Sequence, residues 1–217
     1  MIHVPSAIVS GKEELGDGPL LPVFDPATEQ RVAEFAEAGA TLVDRAVSAA
    51  RESFEDRRWA GLAVEARQST LRHCADVIDL HADELADLET LNTGIPLTQV
   101  RTRQLPRTSY NFRFFADYIG QMTAELYEQD SNYLTFVRRE PVGVAALISP
   151  WNAPIALGSM KIAAAIAFGN SCVIKPSEQA PLGIGRLGGL RSGGKTQGGA
   201  QGSGKRGKQS LHELGHV

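Results

Sequence analysis

Short stretches of alternating apolar and polar side chains occupy the first forty positions of the chain. Residues 22–24 run into the turn sequence Asp25-Pro26, and residues 31–35 then alternate as an edge strand does. Because two strand-like patterns are separated by a turn, the sequence predicts a β-hairpin here.

The pattern changes to a helical period at Thr41. From there to Phe54, apolar side chains recur on one stripe of a helix and charged side chains lie outside it. Asp44 follows Thr41 by three positions, as in a capping box. The sequence therefore predicts a helix that begins with a side-chain cap at Thr41.

Three further helices are predicted between residues 64 and 120. The first covers residues 64–80, and the second covers residues 82–91 and stops before Gly94. The third covers residues 101–120 and carries aromatic rings at three- and four-residue spacings. These rings, which we expect to be buried in the core, are Tyr110, Phe114, Phe115 and Tyr118. Residues 132–139 then alternate as an exposed β-arm does, and its long edge must be covered.

Two apolar strands, each followed by a polar segment, are predicted between residues 142 and 178. Residues 142–148 lead into Ser149-Pro150-Trp151-Asn152, where Pro150 and Pro154 are expected to stop regular structure. A helix opened by Lys161 then precedes a strand over residues 171–174, which leads into Lys175-Pro176-Ser177-Glu178. Strand ends of this kind are where open α/β sheets bind ligands.

Composition narrows the class of protein. The chain has 217 residues, of which 42% are hydrophobic, enough for one buried core. No apolar run approaches the roughly 18 residues of a membrane span, and we expect no membrane partner and a cytoplasmic location. Cys74 and Cys172 are the only cysteines, and each lies in an apolar segment, as reduced buried thiols do.

The last residues differ in kind from the rest. Residues 191–210 contain seven glycines and one apolar residue, Ala200, so burial cannot repay the entropy of ordering them. We therefore predict a disordered tail over residues 191–217. The tail is basic but has no aromatic residues for base stacking, and we expect no nucleic-acid partner.

The two polar segments resemble motifs of the NAD(P)-dependent aldehyde dehydrogenases. The PWN motif at residues 150–152 and the GN-x-x-V-x-KPSE motif at residues 169–178 occur in the family's order and spacing. In residues 111–115 and 132–133 the chain most resembles the semialdehyde and betaine-aldehyde branch of this family. The resemblance to the family implies an α/β fold with an incomplete Rossmann-like coenzyme domain over residues 1–190 and an oligomerisation arm over residues 122–141.

The resemblance also implies roles for single residues. Asn152 would help to bind the oxyanion that forms when a thiolate attacks the aldehyde, and Lys175 and Glu178 would bind the adenosine ribose. A carboxylate there would repel a 2′-phosphate, which favours NAD over NADP. The implied cofactor contacts are Ile148, Ser149, Pro150, Trp151, Lys175, Ser177 and Glu178.

The activity implied by the family is oxidation of an aldehyde to a carboxylic acid by a homo-oligomer. The family's G-Q-x-C and E-L-G-G segments, which supply its catalytic cysteine and glutamate, have no match here. We therefore expect the chain alone to be inactive and marginally stable. The alternative is a non-catalytic fragment that pairs with full-length subunits.

Three other patterns offer competing chemistry, and we expect none of them to carry it. Residues 183–188 satisfy G-x-G-x-x-G, but no acidic residue follows at the distance of a dinucleotide site. Residues 212–216 satisfy the zinc-protease motif H-E-x-x-H, but follow a glycine-rich segment and lack a third ligand, so we predict no metal site. Cys172 is an unsuitable nucleophile because an apolar strand raises the pKa of a thiol.

Overall fold

A computed structural model describes residues 1–190 of the chain. The predicted tail and the H-E-x-x-H pattern lie outside these residues. Five short strands come first: β1 Ile2–His3, β2 Ala7–Val9, β3 Lys12–Glu14, β4 Leu20–Phe24 and β5 Arg31–Ala36. Strands β4 and β5 pair antiparallel, with Val23 opposite Ala33, so the predicted hairpin is confirmed. Strand β1 joins the other side of β5 in parallel, and β2 pairs with β3 in a separate hairpin.

Helices occupy the middle of the chain: α1 Ala40–Glu55, α2 Val64–Leu80, α3 Ala82–Thr93, α4 Leu97–Gln99 and α5 Leu105–Ile119. The prediction of a capping box was wrong, because the N-cap of α1 is Gly39 and no side chain of the described residues caps this end. Helix α3 ends as predicted at Gly94, whose φ of +73° is the left-handed conformation that glycine adopts without strain.

Helices α4 and α5 are joined by a π-helical segment, Val100–Gln104. Pro106, near the start of α5, cannot donate a backbone hydrogen bond, and its ring crowds the preceding turn of a regular helix. Wider turns just before the proline relieve this crowding, which accounts for the position of the π segment.

The expectation that the aromatic stripe of α5 is buried was wrong. Tyr110, Phe114 and Tyr118 are 52%, 43% and 51% exposed, and only Phe115 is partly buried. Their spacing does place them on one face of α5, but α2 and the later helix Pro154–Ala167 pack against a neighbouring face that carries Phe112. The exposed rings instead contact one another, with centroids about 6 Å apart.

The predicted β-arm is confirmed. Strands β6 Leu126–Asp130 and β7 Tyr133–Phe136 pair antiparallel, and every residue of both strands is exposed. The arm therefore carries large apolar side chains on both faces, and no other part of residues 1–190 covers them.

The predicted strand-helix-strand unit closes the described chain. It consists of β8 Val144–Ile148, α6 Pro154–Ala167 and β9 Ser171–Lys175, and is followed by α7 Leu182–Gly188. Helix α6 begins at Pro154 and not at Lys161, because a proline at the first helical position needs no backbone donor. Pro154 was expected to stop regular structure, but it is the first residue of helix α6.

The core lies where α2, α5 and α6 meet β9, and two polar groups fix its arrangement. The indole N–H of Trp59 donates to the carbonyl of Ile166 at 2.7 Å. The amide of Asn111 donates to the carbonyl of Ala156 at 3.1 Å and to Oγ of Ser159 at 2.9 Å. No helix within residues 1–190 has the length and apolar character to cross a membrane.

Candidate functional site

The carboxyl ends of β8 and β9 lie side by side. The strands are parallel, with Ile148 opposite Lys175, and the backbone N–H of Ser149 donates to the carbonyl of Lys175 at 3.0 Å. Residues 149–153 and 176–181 therefore leave the sheet at the same edge. An edge of this type is the usual ligand site of an open α/β sheet.

The first segment presents an indole and an amide to solvent. Ser149 is buried, and its hydroxyl donates to the carbonyl of Pro154 at 3.3 Å, which anchors the segment. Trp151 is 60% exposed, and Ile148, Pro150 and Asn152 are also exposed. The side-chain amide of Asn152 makes no hydrogen bond to any residue between 1 and 190, so it does not cap the turn.

The second segment presents an ion pair. Nζ of Lys175 lies 2.7 Å from Oε2 of Glu178, and both side chains are exposed. The hydrogen bond from Lys175 lowers the pKa of Glu178, so this carboxyl is ionised at neutral pH. Ser177 accepts a hydrogen bond from the backbone N–H of Gln179 at 3.3 Å. An exposed pair of this kind is weak, and both groups remain able to turn toward a ligand.

Lys161 contributes to the same edge from α6. Its ammonium donates a hydrogen bond to the carbonyl of Ile148, the last residue of β8. From its sequence context, Lys161 was predicted only to begin a helix. Once α6 is known to begin at Pro154, Lys161 lies two turns along on the same face, directly over the strand end.

The last turn of α3 lies beneath both segments. Oε1 of Glu89 accepts from the backbone N–H of Ile155 at 3.1 Å. Asn92 accepts from the N–H of Leu182 at 3.0 Å and donates to the carbonyl of Gln179 at 3.0 Å. Glu89 is fully buried, and burial raises its pKa to about 7. Sequence reasoning missed both residues.

Neither cysteine carries a reactive thiolate. Both are buried, and burial raises the pKa of Cys172 to about 12 and raises that of Cys74 as well. The expectation that Cys172 lies in an apolar strand that raises the pKa of its thiol is confirmed.

The G-x-G-x-x-G pattern serves helix packing. Its residues lie within α7 and not in a loop that follows a strand. A Cβ atom at Gly183 would overlap Oε2 of Glu89, so glycine allows α7 to approach α3 closely. Among residues 1–190, no group of three or more metal-binding side chains could hold a metal ion.

These features define the class of the protein: an α/β chain in which parallel strands end at a polar edge, as in Rossmann-like coenzyme domains. Comparison with known proteins then gives the family. The model of the aldehyde dehydrogenase family matches residues 15–189, and the chain belongs to this family. The resemblance inferred from the PWN and KPSE motifs is confirmed.

The relatives include semialdehyde dehydrogenases. The chain is 38% identical over 182 residues to 5-carboxymethyl-2-hydroxymuconate semialdehyde dehydrogenase of Escherichia coli, covering 84% of this chain and 38% of the relative. It is 40% identical over 166 residues to NADP/NAD-dependent aldehyde dehydrogenase PuuC of Escherichia coli K12, covering 76% of this chain and 34% of that protein. The chain thus spans little more than a third of these relatives.

Solved structures agree with this assignment. The NAD⁺ complex of an aldehyde dehydrogenase from Bacillus cereus matches 86% of this chain and 38% of its own, with a TM-score of 0.82 and 33% identity. The fold is therefore that of the first part of an aldehyde dehydrogenase, as the sequence predicted.

Proposed function

We propose that this chain supplies the adenosine-binding and oxyanion-binding groups of an NAD-dependent aldehyde dehydrogenase, whose reaction oxidises an aldehyde to a carboxylic acid. The carrying observation is the register of β8 and β9, which places the Asn152 segment and the Lys175–Glu178 corner at one edge. Family membership supports the reaction class.

The residues at this edge fit an adenosine ribose. Lys175 offers a donor and Glu178 an acceptor, both exposed, so two neighbouring hydroxyl groups could replace their mutual contact. Because Glu178 is ionised, a 2′-phosphate would meet a negative charge, which favours NAD over NADP. Ile148, Pro150, Trp151 and Ser177 lie along the same edge and would complete the contact. When bound, NAD supplies the hydride acceptor.

Asn152 would bind the oxyanion of the substrate. Its amide is exposed and free of hydrogen bonds within residues 1–190, so it can donate to a developing negative charge. An oxyanion donor that is held in place when the substrate binds contributes roughly 3 kcal/mol to lowering a barrier. The nucleophile is neither Cys74 nor Cys172, since both thiols are buried and protonated. We therefore expect this chain to bind NAD without oxidising aldehydes alone.

The exposed arm supports a homo-oligomer. Strands β6 and β7 expose Leu126, Tyr133, Leu134 and Phe136, which a second subunit would cover. The same arm supports the second candidate function, a non-catalytic chain that pairs with full-length subunits. Co-purification with a full-length family member, abolished by Leu134→Lys and without added dehydrogenase activity, would favour this candidate.

Isothermal titration with NAD and NADP tests the proposed cofactor site. We expect the original chain to bind NAD and Lys175→Ala to bind NAD about tenfold more weakly. Glu178→Gln should decrease the ratio of the affinity for NAD to the affinity for NADP. Arg31→Ala is the matched control, because Arg31 and Glu34 form a comparable exposed pair at positions i and i+3, at 2.9 Å, on strand β5. Absence of NAD binding, or equal losses in Lys175→Ala and Arg31→Ala, would refute the proposal.

A further inference from the structure

Two polar side chains on the last turn of α3 connect the two segments of the site. Glu89 and Asn92 are three positions apart, so they project from the same face of the helix. Both are buried, which is unusual for their residue types unless their polar atoms are bonded. Their partners are Gln179 in the second segment and the first residues of the helices that follow the segments, Ile155 in α6 and Leu182 in α7.

We propose that Glu89 and Asn92 are positioning residues that set the distance between the Asn152 segment and the Lys175–Glu178 corner. This inference rests on the proposed function, in which the two segments bind NAD and the substrate at one site. Neither positioning residue lies at the exposed edge, so each acts through the backbone it holds.

Glu89 fixes the first segment through the start of α6. Its carboxylate accepts from the N–H of Ile155, the second residue of the helix and the third after Asn152. This N–H has no partner within the helix itself, so without Glu89 it would be buried and unsatisfied. The hydrogen bond therefore holds the first turn of α6, which directly follows the Asn152 segment, against α3.

Asn92 fixes the second segment at two points. It donates to the carbonyl of Gln179, which directly follows Glu178, and accepts from the N–H of Leu182, the first residue of α7. One planar amide thus holds both sides of the turn that returns the chain from the corner. Because Leu85 and Ala86 on the same helix are fully buried, α3 is a rigid base for these contacts.

The test is NAD affinity measured on folded variants, with amide hydrogen exchange as a second readout. We expect Glu89→Ala and Asn92→Ala each to weaken NAD binding about tenfold or more, because small displacements of binding groups are costly. Glu89→Gln keeps an acceptor for Ile155 and should restore affinity to within about twofold of the original. Thr90→Val is the matched control, since the hydroxyl of Thr90 is buried on the same turn without a hydrogen-bond partner among residues 1–190.

Hydrogen exchange distinguishes failure of this inference from failure of the proposed function. We expect faster exchange at Ile155 in Glu89→Ala and at Leu182 in Asn92→Ala. An original chain that binds no NAD would overturn the proposed function, and unchanged exchange in both variants would overturn the positioning role. Variants that melt at a lower temperature but bind NAD with the original affinity while folded would show that Glu89 and Asn92 contribute to stability alone, and would refute the positioning role. Where Asn92→Ala does not fold, Asn92→Asp keeps the acceptor and loses the donor, and unaltered affinity in that variant would refute the proposal.

Discussion

Protonation of Glu89 should make the stability of this protein depend on pH. The carboxyl is fully buried, its Oε2 has no hydrogen-bond partner among residues 1–190, and burial raises its pKa from 4.5 to about 7. The hydrogen bond from Ile155 acts in the opposite direction but is the smaller effect. The charged side chains on α3 and α7 next to this turn, Glu84 and Arg186, pair with each other at 2.5 Å, and Glu89 has no ion pair with any residue between 1 and 190.

The sign follows from proton binding. Between pH 4.5 and about 7 the folded chain holds a proton on Glu89 that the unfolded chain has released, so the stabilisation is complete below pH 4.5 and is lost as pH rises to about 7. At about 1.4 kcal/mol for each pH unit, the loss amounts to roughly 3 kcal/mol. A loss of that size is a large part of the total stability of an ordinary domain.

Glu89→Gln isolates this effect, because glutamine has nearly the same shape and does not titrate. We expect the variant to gain stability relative to the original chain as pH rises, by roughly 3 kcal/mol between pH 4.5 and 8. Urea unfolding followed by circular dichroism at several pH values measures the difference, and every other titrating group cancels in the comparison. A difference that stays constant to within about 0.5 kcal/mol across this range would refute the reasoning.

Two further expectations follow from the packing. Gly183→Ala should destabilise the chain by about 1–3 kcal/mol, because its Cβ would overlap the buried carboxyl of Glu89. Gly185→Ala has open space around its Cβ and should stabilise α7 by up to about 1 kcal/mol. Urea unfolding of both variants measures the difference between them. Cys74 and Cys172 should not react with a thiol reagent at pH 8 until the chain unfolds, so labelling in native buffer at the rate of a free thiol would contradict the burial of both residues.

Elements with strong local signals could be predicted from the sequence. The predicted bounds of α2 agree with the structure, and β8 and β9 occupy the two apolar runs that precede the PWN and KPSE motifs. Strands β1, β2 and β3 were missed because two or three residues are too few to show a period.

The errors concern properties that a helix does not determine alone. The spacing of Tyr110, Phe114 and Tyr118 correctly places three rings on one face of α5, but which face is buried depends on where α2 and α6 pack. The local sequence around Pro154 is likewise compatible with two structures. A proline can follow a strand or start a helix, and only the packing of α6 on the sheet distinguishes them.

The roles of Glu89 and Asn92 were the hardest features of the site to predict from the sequence. Glu89 bonds to a residue 66 positions away, and Asn92 to a residue 90 positions away, whereas the local pattern around them indicates only a helix end. A left-handed glycine at residue 94 is sufficient to end α3, so the stop signal leaves both polar side chains unexplained. One oxygen of the buried Glu89 carboxyl has no partner in the part of the chain that the structure describes, and its burial costs free energy that an apolar side chain would not. What Glu89 and Asn92 contribute in return is the relative position of the two segments, which neither strand end could set by itself.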